Sequence, residues 1–261
     1  MIRATYINHM GDDLTVVNAA RVSFGKKVEA LGYTGADGGT MRPILHDRDI
    51  KLINYLAKHE HMSPFGHCFV SFHVKAPIFV ARQLVKHKFL RWNEISRRYV
   101  DDIPSWYWPE DDVWRGKSED KKQGSSGTVD LKEDQFLLDD VVETAEWCRV
   151  LYRNLLNKGV APEQARMVLP QSTMTEWYWS GSLDAFADMC NLRLKDDTQG
   201  ETRRIAHQIS QVMLDLFPNS WQALLTSRPV SVPITEYGKI REMTDDERQR
   251  GKEKSIANGR R

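Results

Sequence analysis

The order of apolar and polar residues along the chain predicts a few strands and many helices. Near the N-terminus, alternation in "IRATYINHM" predicts a strand, and "LTVVNAARVSFG" predicts a short helix that stops near Gly25. Apolar residues at helical spacing predict another helix in "DRDIKLINYLAKHEH". The β-branched and aromatic run "CFVSFHVKAP" predicts a strand at 68–77, and Pro77 opens the helix predicted in "IFVARQLVKHK".

The second half of the chain is predicted to be mostly helical. Asp130, with Glu133 three residues later, resembles a capping box, and the long helix that it opens is expected to end at Gly159. The apolar face of this helix consists of Leu137, Val141, Ala145, Cys148, Tyr152 and Leu155. A short helix is expected from Pro162, and two more in "SLDAFADMCNLR" and "QGETRRIAHQISQVMLDLF". In the last helix the residues predicted to face inward are Ile205, Ile209, Val212, Met213 and Leu216.

Polar segments separate these elements and bound the domain. Residues 32–40, "GYTGADGGT", are predicted to form a mobile loop. Residues 101–130 are predicted to be a long variable insertion that is either functional or disordered. This insertion carries eight acidic and four basic residues and the aromatic residues Trp106, Tyr107, Trp108 and Trp114. Residues 243–261 are predicted to be a flexible polar tail, which leaves one domain at 1–242. Because strands and helices do not alternate regularly, we expect the α+β class.

Composition argues for an ordinary globular protein. The 37 Lys and Arg residues against 36 Asp and Glu residues leave a net charge of +1, so no overall field favours a polyanion. Three widely spaced cysteines without a CxxC pair indicate reduced thiols and no structural zinc. No stretch is long and apolar enough for a membrane span, and the N-terminus lacks a signal peptide, so we expect a cytoplasmic protein.

The densest charge lies at residues 86–99, "KHKFLRWNEISRRY". Composition alone leaves three interpretations of this segment. It is a solvated basic helix end, a nucleic-acid-binding stripe in which Trp92 and Tyr99 stack on bases, or a pocket for the phosphate of a nucleotide. Glu94 is either an ion-pair partner for these cations or an acceptor for a hydroxyl or ring N–H of a ligand.

The order of residues in this segment resembles the signature of the flavin-dependent thymidylate synthases. His87, Asn93, Glu94, Ser96, Arg98 and Tyr99 carry this resemblance. It extends to "AARVSFG", "HEHMSPFGHCFVSFHVKAPIFVARQ", "EQARMVLP" and "NLRLKDDTQGE", in the same order as in the family.

The chain departs from the family signature where Lys86 and Lys88 replace arginines and Arg91 replaces serine. Since lysine lacks the planar fork of arginine, we expect fewer and less directional contacts at 86 and 88. Outside the signature, Ser182, Asp188 and Asp197 stand where family members often have asparagine, asparagine and histidine.

The resemblance implies a binding site for a deoxynucleotide monophosphate. The residues that it assigns to the nucleotide are Gln83, Lys86, Glu94, Ser96, Arg97, Arg98, Arg166 and Arg193. Ser96 is expected to bind the phosphate and not to act as a nucleophile, and Arg166 is expected to reach the site from a neighbouring subunit. Arg193 is the expected catalytic residue, because a fixed cation beside uracil favours the ionised ring and raises electron density at carbon 5. From residue type alone, Arg193 is a surface arginine at a helix end.

The resemblance also implies an FAD site. The residues assigned to it are Ser23, His61, Ser63, Lys86, His87, Lys88, Asn93, Glu94, Ser182 and Asp188. His59, His61 and His67 together suggest a metal site as an alternative, but they lack the HExxH spacing, so we expect no metal.

For the whole protein, the resemblance implies a mainly antiparallel central sheet packed with helices and assembly as a homotetramer with active sites between subunits. The implied reaction is the reductive methylation of dUMP to dTMP, with methylenetetrahydrofolate as carbon donor and NADPH reducing the FAD. No cysteine lies in a motif, as expected for a route without a thiolate nucleophile. The insertion at 101–130 is then a lid over the folate or nicotinamide site, or a surface loop.

Two alternatives to this reaction stay open. One is flavin- and folate-dependent modification of another pyrimidine nucleotide, such as dCMP, or hydroxymethylation in place of methylation. The other is a basic nucleic-acid-binding protein, although the balanced charge favours no nucleic-acid and no membrane partner.

Overall fold

A computed structural model describes residues 1–35, 41–109, 114–119, 124–131 and 134–226. The strands are β1 (Arg3–Met10), β2 (Gly32–Thr34), β3 (Arg42–Ile44), β4 (Phe69–Pro77), β5 (Leu90–Glu94), β6 (Arg115–Lys117), β7 (Ser125–Thr128) and β8 (Met174–Ser182). The helices are α1 (Asp13–Arg21), α2 (Asp47–Lys58), α3 (Ile78–Leu84), α4 (Gln135–Asn157), α5 (Pro162–Ala165), α6 (Leu183–Arg193), α7 (Gly200–Leu216) and α8 (Pro218–Thr226).

The main sheet has the strand order β1-β4-β8-β5, and every neighbouring pair in it is antiparallel. Alternate residues of β4 and β8 face the core, where Phe72, Trp177 and Trp179 are almost fully buried and Trp179 packs edge-on against Phe186 of α6. Helices α6, α7 and α8 pack against one another beside this sheet. The expected single α+β domain with a mainly antiparallel sheet is therefore confirmed.

Most of the helices predicted from periodicity are present. Helix α1 is followed by a 3-10 turn at Val22–Phe24 and ends at Gly25, whose φ of +61° is the left-handed conformation that favours glycine. Helices α2, α5 and α6 begin within a few residues of the predicted positions. In α7 four of the five residues predicted to face inward are buried, and Val212 is partly buried. The segment "FPNSWQALL" contributes Trp221 and Leu224 to the chain's own core.

Two strands of the main sheet were not predicted. The basic segment is not a helix end, because Leu90–Glu94 form the edge strand β5, paired with Gly181–Trp177. Its partner β8, "MTEWYWSGS", was not predicted, although it is central in the sheet. Its alternation of Thr, Trp and Tyr with smaller or charged residues is a strand pattern. Pairing on both sides satisfies the backbone of β8, so this segment connects β5 to the rest of the sheet.

Three predictions about loops and helix ends also need correction. Gly32–Thr34 are not loop but strand β2, paired with β3, and residues 36–40 lie outside the described residues. The insertion at 101–130 contains the antiparallel pair β6–β7. Helix α4 begins at Gln135 and not after Asp130, because Asp134 accepts a hydrogen bond from the Leu137 N–H at 3.1 Å and caps the helix.

The apolar face predicted for α4 is only partly buried. Ala145 and Tyr152 are in the interior, whereas Leu137 and Val141 are 44% and 37% exposed. Gly159, with a φ of +81°, follows the helix end near the predicted position. The predicted tail at 243–261 lies outside the described residues. Within the described part of the chain, no helix has the length and apolar character required to cross a membrane.

Candidate active site

A cleft of about 950 Å³ opens between α3, α4, the insertion and the segment that follows α6. One part of its wall is aromatic and comes from Phe79, Trp106, Tyr107, Trp108 and Trp114. Another part is polar and comes from Gln83, Lys86, Arg193, Lys195, Asp197, Gln199 and Glu201. The cleft therefore combines planar apolar surface with several cations and carboxylates, as ligand-binding sites commonly do.

Arg193, the last residue of α6, is held in this cleft by two hydrogen bonds. Its Nε donates to His87 Nε2 at 2.9 Å, and its Nη2 donates to the backbone oxygen of Gln83 at 3.0 Å. The side chain is partly buried, and burial lowers the pKa of the guanidinium, which still stays charged at neutral pH. Arg193 is thus a fixed cation that lines a cleft, not the surface arginine that residue type alone suggests.

His87 is the acceptor that orients Arg193. Burial, and then the nearby charge of Arg193, lower the pKa of His87 to about 4. The imidazole is therefore neutral at pH 7, with Nε2 as acceptor and the proton on Nδ1. Because a charged imidazole could not accept the bond from Arg193, the lowered pKa of His87 agrees with the observed contact.

Gln83 ties α3 to the start of α7. Its Oε1 accepts a hydrogen bond from Thr202 Oγ1 at 3.1 Å, and its Nε2 donates to Oε1 of Gln199. Thr202 is completely buried. The residue whose backbone oxygen accepts the bond from Arg193 is therefore also tied to α7 through its side chain. Lys86 lines the same cleft three residues after Gln83.

The insertion contributes an aromatic wall to the same cleft. Trp106 forms an isolated bridge with Thr173, and the Tyr107 N–H donates to Ser172 O at 2.7 Å. The Tyr107 hydroxyl donates to Glu201 Oε1 at 3.2 Å. These bonds attach the insertion to the start of β8 and to α7. The sequence indicated an aromatic cluster here, but it gave no signal that these side chains share a cleft with Arg193.

A second group of predicted site residues lies at the end of β5. Glu94 accepts hydrogen bonds from Thr175 Oγ1 at 2.6 Å and from Trp92 Nε1 at 3.1 Å, and no ion pair of Glu94 is seen among the described residues. Thr175 is a member of this group that sequence reasoning missed, because β8 was not predicted. Trp92 in turn stacks on Trp177 with a centroid distance of 4.2 Å. The carboxylate of Glu94 is thus oriented on an otherwise exposed strand end.

The turn after β5 holds the predicted phosphate-binding residues. The Ser96 hydroxyl accepts a hydrogen bond from the Arg98 N–H at 3.3 Å, and Arg98 lies 5.2 Å from the centre of the Tyr99 ring. Arg97 donates to a carboxylate oxygen of Asp102 at 2.6 Å. Arg98 and Tyr99 are exposed. This turn presents a hydroxyl and an arginine to the outside of the chain and uses another arginine internally.

The residues predicted to bind FAD lie in four segments of the chain, at 23, 61–63, 86–94 and 182–188. Ser182 ends β8 opposite Phe69, and the neighbouring pair Gly181–Leu90 brings the chain after Lys88 to the same end of the sheet. The 3-10 turn at Phe65–His67, just after His61 and Ser63, packs against α1, β8 and α6. Ser23 is exposed in the turn after α1, and Asp188 is exposed on α6. Asn93 pairs with Tyr178, nearer to the nucleotide group than to Ser182.

The histidines near His61 pack on one tyrosine. The rings of His59 and His61 lie 4.3 and 6.1 Å from that of Tyr55. In the described ranges no group of three or more His, Cys, Asp or Glu side chains is arranged to hold a metal ion.

Within one chain, the cleft collects only some of the predicted site residues. Gln83, Lys86 and Arg193 line it, together with His87 behind Arg193. Glu94 and the turn of Ser96 to Arg98 do not line it, and neither do the residues near Ser182. Arg166 follows α5, where its Nε donates to Glu163 O at 3.2 Å, and it is exposed. The predicted site is therefore divided among separate surfaces of the chain.

Comparisons with known proteins agree on one family. The family model described as "Thymidylate synthase complementing protein" matches residues 5–219. The chain is 40% identical over 217 residues to the flavin-dependent thymidylate synthase of Thermus thermophilus, covering 83% of this chain and 73% of the relative. It is 39% identical over 220 residues to that of Kosmotoga olearia, covering 83% and 86%.

Solved structures agree with this similarity. The structure of a UMP/dUMP methylase, PolB from Streptomyces cacaoi, bound with 5-Br dUMP, is similar with a TM-score of 0.72 and 28% identity. The similarity covers 88% of this chain and 98% of that one. A structure of the same methylase with 5-Br UMP has a TM-score of 0.72 and 27% identity, covering 87% and 95%.

Proposed function

Because the chain belongs to the family of flavin-dependent thymidylate synthases, we propose that it methylates dUMP reductively to dTMP. The carbon donor is methylenetetrahydrofolate, and NADPH provides the reducing equivalents through FAD. The single observation that carries the proposal is the fixed position of Arg193 in the cleft, beside Gln83 and Lys86.

The proposed role of Arg193 is to polarise the uracil ring. Its guanidinium has N–H donors left for a ligand, since Nε and Nη2 each make one bond within the chain and Arg193 has five N–H donors in all. A fixed cation beside a carbonyl of uracil stabilises negative charge on the ring, which increases the electron density at carbon 5. Neutral His87 holds this cation in place without adding a second positive charge.

The buried cysteines support a route without a thiolate. Burial raises the pKa of the Cys68 thiol to about 12 and also raises the pKa of Cys190. Both thiols are therefore protonated at neutral pH and do not line the cleft, and Cys148 does not line it either. A nucleophilic cysteine, which would need a lowered pKa and access to substrate, has no candidate here.

FAD is the cofactor that this proposal requires, and the assigned residues fit it in chemical type. Exposed Lys86 and Lys88 supply positive charge for a diphosphate, and the exposed hydroxyl groups of Ser23 and Ser63 suit a ligand rich in hydroxyls. Ser182, His61, Asn93, Glu94 and Asp188 complete the proposed FAD-binding set. When bound, FAD supplies the electrons that convert the transferred carbon to a methyl group.

The division of the site supports a homotetramer. Arg193 contacts His87 just before β5, whereas Glu94 and the turn with Ser96 and Arg98 lie at the other end of that strand. Leu90 and Glu94 are four residue steps apart along the strand, which is about 13 Å at roughly 3.3 Å per step. We infer that Gln83, Lys86, Glu94, Ser96, Arg97 and Arg98 form complete nucleotide sites only when subunits combine, with Arg166 donated by a neighbour.

The test is the absorbance spectrum of the freshly purified protein during titration with dUMP. We expect a flavin band that dUMP perturbs saturably, and dTMP as the product, identified by mass, when methylenetetrahydrofolate and NADPH are added. A colourless protein that also fails to bind added FAD would refute the proposal, as would the absence of dTMP. Light scattering of the same sample measures the oligomeric state.

A ribonucleotide is a second candidate substrate. The similar PolB is named a UMP/dUMP methylase and has been solved with 5-Br UMP as well as with 5-Br dUMP. Parallel assays with UMP, dUMP and dCMP, with product masses that separate methyl from hydroxymethyl transfer, distinguish the candidates. We expect the highest kcat/KM with dUMP.

A further inference from the structure

The aromatic wall of the cleft is a built feature and not a loose loop. Trp106 forms a β-bridge with Thr173, and the backbone N–H of Tyr107 donates a hydrogen bond to Ser172 O. The Tyr107 hydroxyl donates a hydrogen bond to Glu201. The Tyr107 ring also packs edge-on against Phe79 of α3 at 5.8 Å. The wall is therefore attached to the segment before β8, to α3 and to α7. Of these, α3 accepts a bond from Arg193, and α7 contributes Thr202, which bonds to Gln83.

Two further tryptophans extend this wall at a right angle to each other. Trp108 and Trp114 meet edge to face, with a centroid distance of 5.6 Å and an interplanar angle of 84°. Trp106 is held from α4, where the Arg149 guanidinium lies 4.9 Å from its ring centre. Rigid aromatic surfaces of this kind bind planar rings at low entropic cost.

Charged groups stand beside the aromatic surface. Arg115 and Lys195 line the same cleft as Trp114, and the carboxylate of Glu201 accepts a hydrogen bond from Tyr107. Cations suit an anionic tail, and an oriented carboxylate accepts hydrogen bonds from ring N–H or amino groups. The volume of about 950 Å³ is near the upper end of the range for small-molecule sites, roughly 300–1,000 Å³, so the cleft has room for more than the uracil ring.

We propose that the aromatic wall of residues 106–108 and 114 binds the planar heterocyclic ring of a co-substrate that carries an anionic tail, next to the nucleotide. This inference rests on the proposed function, which supplies two molecules of this chemistry, a reduced folate and a nicotinamide dinucleotide. One of the two perpendicular indoles, Trp108 or Trp114, stacks on the ring and the other contacts its edge. Glu201 pairs with the polar edge of the ring, and Arg115 and Lys195 attract the tail. The insertion thereby sets co-substrate affinity from within the same chain as Arg193.

The test compares Trp108→Leu and the double variant Trp108→Leu/Trp114→Leu with Trp147→Leu. Trp147 is the matched control because it is 59% exposed on α4 and does not line the cleft. Loss of one stacking contact should raise the KM for one co-substrate about tenfold, with the KM for dUMP and the FAD content unchanged. Trp108→Phe keeps a ring and should recover most of the affinity, which separates stacking from misfolding.

A binding experiment identifies the co-substrate without requiring turnover. Tryptophan fluorescence is titrated with tetrahydrofolate, with NADP⁺ and with dUMP, in the wild type and in the double variant. The proposal is supported if tetrahydrofolate or NADP⁺ quenches the fluorescence saturably in the wild type and not in the double variant. The ligand that does so is identified as the one whose ring binds the wall. Quenching by dUMP alone, or quenching that the double variant retains in full, overturns it. A protein without flavin or dTMP formation refutes the proposed function, and the titrations still decide whether the wall binds a ring.

Discussion

Arg193 and Arg98 are both assigned to the nucleotide, yet the chain holds the two side chains in different ways. Arg193 is partly buried and donates to His87 and to the Gln83 backbone, two groups more than 100 residues away in sequence. Arg98 is exposed, and it contacts Ser96 and Tyr99 in its own turn. One arginine is fixed by the tertiary fold, and the other is fixed only by local bonds.

This difference in how the two side chains are held indicates different roles for Arg193 and Arg98. A cation that stabilises negative charge in the transition state is most effective when it is already oriented before the reaction. The two hydrogen bonds of Arg193 hold it in such a fixed orientation. A cation that binds a phosphate can be ordered by the ligand itself, at some cost in affinity. We therefore expect substitutions at Arg193 to lower kcat and substitutions at Arg98 to raise KM.

The largest effect is expected at Arg193. Arg193→Ala should lower kcat about 100- to 1,000-fold, which is typical when one preorganised donor is removed from a developing negative charge. FAD content should stay near that of the wild type, because the proposed work of Arg193 is on the uracil ring. Arg193→Lys should recover only part of the rate, since lysine cannot keep both bonds and still reach the ligand. The measurements are single-turnover rates and the flavin absorbance.

The control for this prediction is Arg153→Ala. Arg153 is exposed on α4 and does not line the cleft, so kcat should be unchanged. A normal kcat in Arg193→Ala would contradict the role of Arg193, and so would a loss of FAD in the same proportion as the loss of rate.

A smaller effect is expected at Arg98. Arg98→Ala should raise the KM for dUMP roughly tenfold with little change in kcat, because one charge-assisted hydrogen bond to phosphate is lost. Deoxyuridine, which lacks the phosphate, provides the control, since the variant and the wild type should bind it equally weakly. A fall in kcat at unchanged KM would show that the turn after β5 does more than bind the phosphate.

Local patterns predicted the helices better than the site. The spacing of apolar residues along α7 located that helix, because one buried face recurs along it. Strand β8 was missed although Trp177 and Trp179 alternate with Glu176 and Tyr178, and that omission also hid the Thr175–Glu94 bond. With β8 recognised, the pairing of the basic segment as an edge strand would have been a natural expectation.

The long-range contacts could not be predicted from local patterns. The bond from Arg193 to His87 joins residues 106 positions apart, and the bond from Tyr107 to Glu201 joins residues 94 apart. The periodicity of apolar residues relates positions within one helix or strand, so it does not predict contacts between distant segments. Family resemblance supplied the names of site residues, but the attachment of the aromatic wall to the cleft comes from an insertion that the resemblance does not cover.

The smallest of the three effects is a pH dependence of stability that the Arg193 region should show and the turn of Arg98 should not. His87 titrates near pH 6.5 in an unfolded chain, and burial lowers its pKa to about 4 in the fold. Between these values the unfolded state binds a proton that the native state excludes, so the free energy of unfolding decreases as the pH falls from 6.5 to 4 and is unaffected by His87 above 6.5. His87→Gln keeps a neutral acceptor for Arg193 and should flatten the fall of Tm in this window. The slope that remains belongs partly to His9 and His207, whose pKa values burial also lowers. Parallel Tm profiles for the variant and the wild type from pH 8 to 4 would show that His87 is not held neutral beside Arg193.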